Sequence, residues 1–181
     1  GGGALLNENP SIENVRSIAE SHRAFGTTGM LPTVITDTPI VTAAAIAAVK
    51  EARERGVPGV LGIHIEGPFL DIARKGAHEA GFIRDMTDRD AETISAADCG
   101  AIMLTLAPNR VEPGLIRKLA ERGVLVSLGH SEASCAEAEA ALAAGARAFT
   151  HIFNAMSQMT GRSSSCTTRK GRRNRRQRRL G

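Results

Sequence analysis

Three residues in this chain have the types and the placing to hold a metal ion: Glu66 in GIHIEGPFL, His130 in SLGHS and His151 in FTHIFNAM. Two imidazoles and one carboxylate form a catalytic zinc-type set, with a fourth position left open for water or substrate. Each lies just past the end of an apolar run. A lone His or Glu there has a structural explanation, since it can cap the next helix or satisfy a loop backbone. Three equivalent placements weigh against that explanation, because in a parallel sheet such side chains converge above the carboxyl edge.

Neighbouring residues have weaker claims. His64 lies two residues before Glu66 on the same face of the strand, and it reads as a hydrogen-bonding partner behind the ligands or a buried core histidine instead of a ligand. His78, in the loop KGAHEAGF, either reaches over the site toward a substrate or is a solvated loop residue. His22 reads as a surface residue of a helix. Gly67 and Pro68 turn the chain sharply after Glu66, and Gly129 lets backbone approach closely beside His130. Backbone amides at Asn154 and Ala155, at an expected loop-to-helix junction, could hold an anion, and Arg162 could add charge to it.

The elements that must position these residues alternate strictly. Asn9, Pro10 and Ser11 open a helix to about Phe25, and Thr38 with Pro39 opens an alanine-rich helix ending near Gly56. Further helices are expected near Asp88 to Ala97, Glu112 to Arg122 and Ser134 to Ala144. Strands are expected at Gly29 to Ile35, Gly59 to Ile65, Ala101 to Leu106, Val124 to Leu128 and Ala146 to Thr150. The strands read as nearly continuous apolar runs, which predicts a parallel sheet buried on both faces. A doubly wound sheet and a β/α barrel both satisfy the pattern. Ligands at three different strand ends favour the barrel, here an incomplete (β/α)8 TIM-type barrel with about five of its eight strands and exposed edges.

Composition bounds the reading further. The chain has 181 residues with 42% hydrophobic content, enough for one domain with a core. No stretch approaches the roughly 20 apolar residues that cross a bilayer, and no signal-peptide pattern opens the chain, so a cytoplasmic location is expected. Cys99, Cys135 and Cys166 form no CxxC pair and are expected to be reduced and incidental. The net charge of +4 is uneven: from Arg162 onward there are nine Lys or Arg and no acid, leaving 14 basic against 19 acidic residues in the body. Such a body gives no reason to expect a nucleic-acid face.

At these residues the chain resembles the N-acetylglucosamine-6-phosphate deacetylase family of the amidohydrolase superfamily. HIEGPFL at 64 to 70, KGAH at 75 to 78, GHS at 129 to 131 and THIFNAM at 150 to 156 look like that family's motifs in order and spacing, and FGTTGMLPTVITD at 25 to 37 is similar to its second-strand region. The resemblance covers residues 1 to 162. It implies that Glu66, His130 and His151 are ligands of a divalent metal, with zinc first among several ions such a set accepts. It also implies that Ala77, His78, Asn154, Ala155 and Arg162 contact an amino-sugar phosphate. The implied reaction hydrolyses the N-acetyl group of N-acetylglucosamine 6-phosphate to glucosamine 6-phosphate and acetate, in an enzyme that often pairs subunits across the active site.

The same resemblance implies a catalytic Asp beyond the last matching residue, a first barrel strand before GGGALLNENP and a small β-sandwich domain. The expectation is therefore a piece truncated at both ends and inactive alone. Residues 163 to 181, SSSCTTRKGRRNRRQRRLG, carry no core pattern and are expected to be disordered. They read as a non-native reading-frame product in preference to an arginine-rich arm binding RNA or DNA, which stands as the alternative function.

Overall fold

The computed structural model describes residues 3–157; Arg162 and the tail at 163–181, with the roles expected of them, lie outside the described residues. Five strands form one parallel sheet: β1 (Thr33–Ile35), β2 (Gly62–Glu66), β3 (Ala101–Leu106), β4 (Leu125–Leu128) and β5 (Ala148–Phe149). Each pairs with the next in chain order, β1-β2-β3-β4-β5. A doubly wound sheet reverses direction at a switch point, whereas a barrel advances one way, so this order is that of a partial barrel.

Between the strands run α1 (Ile12–Arg23), α2 (Pro39–Glu54), α3 (Asp88–Ser95), α4 (Pro113–Glu121) and α5 (Cys135–Ala143), α1 preceding β1. Their starts follow local chemistry. The Ser11 and Thr38 side chains accept from the backbone of Asn14 and Val41 at the heads of α1 and α2, so of the three residues that open the first helix Ser11 is its cap. Thr87 with Asp90 and Ser134 with Glu137 make reciprocal capping boxes on α3 and α5. The first strand is shorter than the apolar run beginning at Gly29. Met30 makes an isolated bridge to Val60, and Pro32, which has no N–H to donate, interrupts the ladder before Thr33.

The two faces of the sheet differ, which corrects the expectation of burial on both. Val34, Ile63, Ile65, Ile102, Leu104 and Val126 point to one face and are all buried, in one core with Val49, Ile116 and Leu119 of the helices. The opposite face carries Thr33, Ile35, His64, Glu66, Thr105 and Ser127 by alternation. It remains partly open, with Ile35 36% and Leu125 41% exposed. That face is the concave interior of a barrel that five strands do not close. No helix among the described residues is long and apolar enough to cross a membrane.

Candidate metal and sugar-phosphate site

Glu66 is the last residue of β2, and His130 and His151 each follow the last residue of β4 and β5 by two. Strand register places Ile35, Glu66, Thr105, Ser127 and Ala148 in one row across the sheet, so the ligand candidates start from one level. Both histidines then adopt left-handed backbone, φ 50 and 54. This conformation is uncommon outside glycine and is kept only where the surroundings over-determine it. Here the His130 carbonyl accepts from the backbone N–H of Asp71 at 2.9 Å, and that of His151 from Asn154 at 2.6 Å. Close packing below helps: a Cβ on Gly129 would lie 3.0 Å from both Thr105 Cγ2 and Thr150 Cβ. On Gly67, at φ +89, it would lie 2.1 Å from Thr36 Oγ1.

The rings meet at the carboxylate. His130 Nε2 lies 2.9 Å from Glu66 Oε1 and His151 Nε2 lies 3.0 Å from the same oxygen. Two ligand atoms bound about 2.0–2.1 Å from a tetrahedral ion are roughly 3.3 Å apart, so this spacing fits a shared cation. Proton accounting supports the fit. His130 Nδ1 is 2.8 Å from the Arg74 carbonyl, which can only accept, so Nδ1 carries a proton and a neutral ring turns the lone pair of Nε2 toward Glu66. Acceptor facing acceptor is unfavourable unless a cation or a second proton lies between them.

Without a metal the proton does that work. Burial opposes charge on both partners, but the hydrogen bond with His130 and the nearby rings of His64, His130 and His151 outweigh it at Glu66, whose pKa falls to about 2. At His130 the pKa is raised, because Glu66 and the Arg74 carbonyl overcome burial.

His78 is buried, and its ring centroid lies 4.6 Å from that of His130. One of its nitrogens comes within 4.8 Å of the ligand atoms of Glu66 and His130, a group whose atoms all lie that close, whereas the group with His151 in place of His78 is tied through the Glu66 oxygen and does not reach that mutual spacing. The protonation of His78 separates the two. The Thr36 backbone N–H points at His78 Nδ1 from 3.3 Å, and the Thr36 hydroxyl lies 2.7 Å away. An N–H only donates, so Nδ1 is the acceptor and the neutral ring carries its proton on Nε2. Burial, then the charge of His130, lower its pKa to about 4, keeping it neutral near pH 7. His78 is thus equipped as a hydrogen-bond donor.

Ala77, His78, Asn154 and Ala155 line one cleft with the three ligand candidates and Arg74. The Asn154 and Ala155 amides, read as an anion cradle, are engaged within their own turn: Asn154 N–H donates to the His151 carbonyl and Ala155 N–H to Asn154 Oδ1 at 3.0 Å. Residues 151–155 form turns and bends, not a helix start, and Met156 bridges to Ser131. His64 lies beneath the site between Thr33 Oγ1 (3.1 Å) and Thr105 Oγ1 (2.8 Å), and the chain continues through Thr150 (2.7 Å) to Ser127 (2.8 Å). His22, read as a surface residue, is half-buried. Thr36, Asp71, Arg74 and Asn109 also shape the site but carry no local signal in the sequence, because their partners lie far along the chain.

No family model matches the chain. It is 45% identical over 162 residues to an N-acetylgalactosamine-6-phosphate deacetylase of Shewanella sp. (strain ANA-3), covering 90% of this chain and 41% of that protein. It is 31% identical over 159 residues to an N-acetylglucosamine-6-phosphate deacetylase of Haemophilus influenzae, covering 88% and 42%. The crystal structure of N-acetylglucosamine-6-phosphate deacetylase from Pasteurella multocida superposes with a TM-score of 0.86 at 32% identity, covering 92% of this chain and 44% of that one. The chain spans about two fifths of the length of the curated relatives it matches. Over that span it resembles the N-acetylglucosamine-6-phosphate deacetylases in both sequence and backbone.

Proposed function

We propose that these residues serve metal-dependent hydrolysis of the N-acetyl group of N-acetylglucosamine 6-phosphate, with zinc held by Glu66, His130 and His151. The observation that carries the reading is the approach of both histidine Nε2 atoms to one Glu66 oxygen while the Arg74 carbonyl occupies His130 Nδ1. A divalent cation bound there would lower the pKa of a water toward about 7 and polarise the acetyl carbonyl. The chain's own contribution is to hold that cation and orient the sugar. His78 offers its Nε2 proton to a substrate oxygen. Ala77, Asn154 and Ala155 border the sugar phosphate, and Arg162 supplies charge to the phosphate.

A second reading, the C4-epimeric N-acetylgalactosamine 6-phosphate, is favoured by the 45% identity to the deacetylase named for that sugar, against 31% for the Haemophilus protein named for the other. In either case no carboxylate among the described cleft residues is left free to act as a general base. Glu66 is the one carboxylate among the described residues that line the cleft, and a ligand cannot also serve as a free base.

Zinc affinity of the full chain, measured by competition with a chromophoric chelator, tests the ligand set. Glu66→Gln, His130→Ala and His151→Ala should each weaken binding, and His78→Ala should not. Loss with His78→Ala and none with His151→Ala would replace the set by Glu66, His78 and His130. Calorimetric titration of the zinc-loaded chain with each hexosamine phosphate separates the two sugars. Acetate release should be negligible, and robust turnover abolished by Glu66→Ala would overturn the inactivity.

A further inference from the structure

The loops after β2, β3 and β4 meet at a carboxylate outside the ligand set. Asp71 caps a short 3-10 turn at Ile72–Arg74, its Oδ1 accepting from the Ala73 backbone N–H at 3.0 Å. Its Oδ2 accepts from Asn109 Nδ2 at 2.5 Å and from the Glu132 backbone N–H at 3.4 Å. Asn109 is oriented by this contact, because a carboxylate only accepts and must therefore face the amide nitrogen. The Asn109 oxygen is left to accept from Ser131 Oγ at 2.7 Å, and that oxygen accepts from the Ala133 backbone N–H at 2.9 Å.

This network meets His130 at three points. Ser131 is its chain neighbour. The backbone N–H of Asp71 donates to the His130 carbonyl at 2.9 Å, and the carbonyl that ends the capped turn, Arg74, takes the proton of His130 Nδ1 at 2.8 Å. One short segment, 71–74, therefore grips the histidine at both its backbone and its ring.

We propose that Asp71, acting through Asn109 and the turn it caps, is a positioning residue for His130: it fixes which ring nitrogen carries the proton and where Nε2 points. The inference rests on the reading of His130 as a metal ligand. A hydrogen-bonded partner on the far ring nitrogen sets both tautomer and heading of a ligating histidine. Here the partner is a carbonyl in a loop, and a loop carbonyl holds its place only as well as the loop does. Asp71 supplies the restraint by joining three loops that the chain separates by 38 to 61 residues.

The test is zinc affinity of the full chain, by chelator competition, with folding followed by circular dichroism. Asp71→Asn keeps the shape but sets one amide nitrogen against another. Removing such an outer partner typically weakens metal binding by about 10- to 100-fold, and that is the loss expected. Adding Asn109→Asp reverses donor and acceptor across the pair and should recover most of it, which a merely bulky or structural role would not. If Asp71→Asn does not fold, Asn109→Ala decides, since it leaves the turn cap in place and should still weaken zinc.

Wild-type affinity in folded Asp71→Asn or Asn109→Ala, with His130→Ala weakened, overturns the inference and leaves the ligand reading standing. No recovery in a folded double variant also overturns it. Unchanged affinity in His130→Ala removes the ligand reading and the inference with it.

Discussion

Substituting Gly129 by Ala tests how tightly the site is seated on the sheet. Gly129 has no left-handed backbone, so the question is one of space alone. An added Cβ would lie 3.0 Å from Thr105 Cγ2, 3.0 Å from Thr150 Cβ and 3.1 Å from the Thr150 carbonyl oxygen, all closer than ordinary van der Waals contact. None of these neighbours yields easily. Thr105 is fully buried and its hydroxyl joins His64 Nε2 to Thr150 Oγ1, so turning its methyl away breaks two hydrogen bonds. Thr150 is tied to β4 by its backbone N–H on the Leu128 carbonyl at 2.9 Å. The strain must go into separating β4 from β3 and β5, an overpacking that costs about 1–3 kcal/mol. For a domain of this size each kcal/mol moves the midpoint by about 2–4 °C, so the thermal midpoint followed by circular dichroism should fall by roughly 2–12 °C. Zinc affinity should fall as well, because the displaced backbone is the one that leads into His130. Gly114→Ala is the control: it sits in α4 with nothing within 4 Å, and it should be neutral or stabilising by up to about 1 kcal/mol. A Gly129→Ala protein that melts within a degree of wild type and binds zinc equally well would refute the reasoning.

Three further outcomes are expected. Arg84, with two nitrogens 2.7 Å from the Asp90 carboxylate, overcomes burial and lowers the Asp90 pKa from 3.8 to about 2. A depressed carboxyl stabilises the fold above its unfolded value and loses that contribution as pH falls through its folded value. Asp90→Asn should therefore cost about 1–2 kcal/mol at pH 7, discounted for the partly exposed Arg84, and the gap to wild type should close by about pH 2 in urea titrations. Ile116→Ala empties a fully buried position of α4 and should lose about 2–5 kcal/mol by the same titration at pH 7, with less than 1 counting against the packing described. Thr105→Val keeps the volume but leaves His64 Nε2 and Thr150 Oγ1 each short of a partner. A loss of about 1–3 kcal/mol is expected, and stability within 0.5 kcal/mol of wild type would show that the hydroxyl chain is dispensable.

Much of the architecture is legible along the chain because its signals are local. β3 ends where the apolar run AIMLTL ends, at Ala101 and Leu106, and α2 begins behind the Thr38 and Pro39 that mark its head. The ligand candidates are legible too, since position after an apolar strand is itself a local feature. The seating of those ligands is another matter. Asp71 looks like any loop acid, and nothing near it indicates that its partners are Asn109 and Glu132. The same limit hid Thr36, whose partner His78 is 42 residues away. The turn geometry at Asn154 and Ala155 was hidden for a different reason: left-handed residues at His151, Phe153 and Ala155, which no local signal marks, fold the two amides back onto their own segment.

The difference between the sheet's faces explains why a site of this kind forms at this edge. Taken as continuous apolar runs, the strands hide a period of two: in Gly62–Glu66 the isoleucines face the helices while His64 and Glu66 face the concave side. On that side Thr33, His64, Thr105, Thr150 and Ser127 satisfy one another in a single hydrogen-bonded chain, so polar groups persist in a half-buried layer without an unpaired partner. That chain passes through Thr150, the residue before His151, and through Thr105, against which Gly129 packs just before His130. The hydroxyl layer thus fixes the floor from which both histidines rise, and the loop network around Asp71 fixes the wall. Convergence on Glu66 needs both. A floor defect such as Gly129→Ala should therefore lower stability and zinc affinity together, whereas a wall defect such as Asp71→Asn should act mainly on zinc.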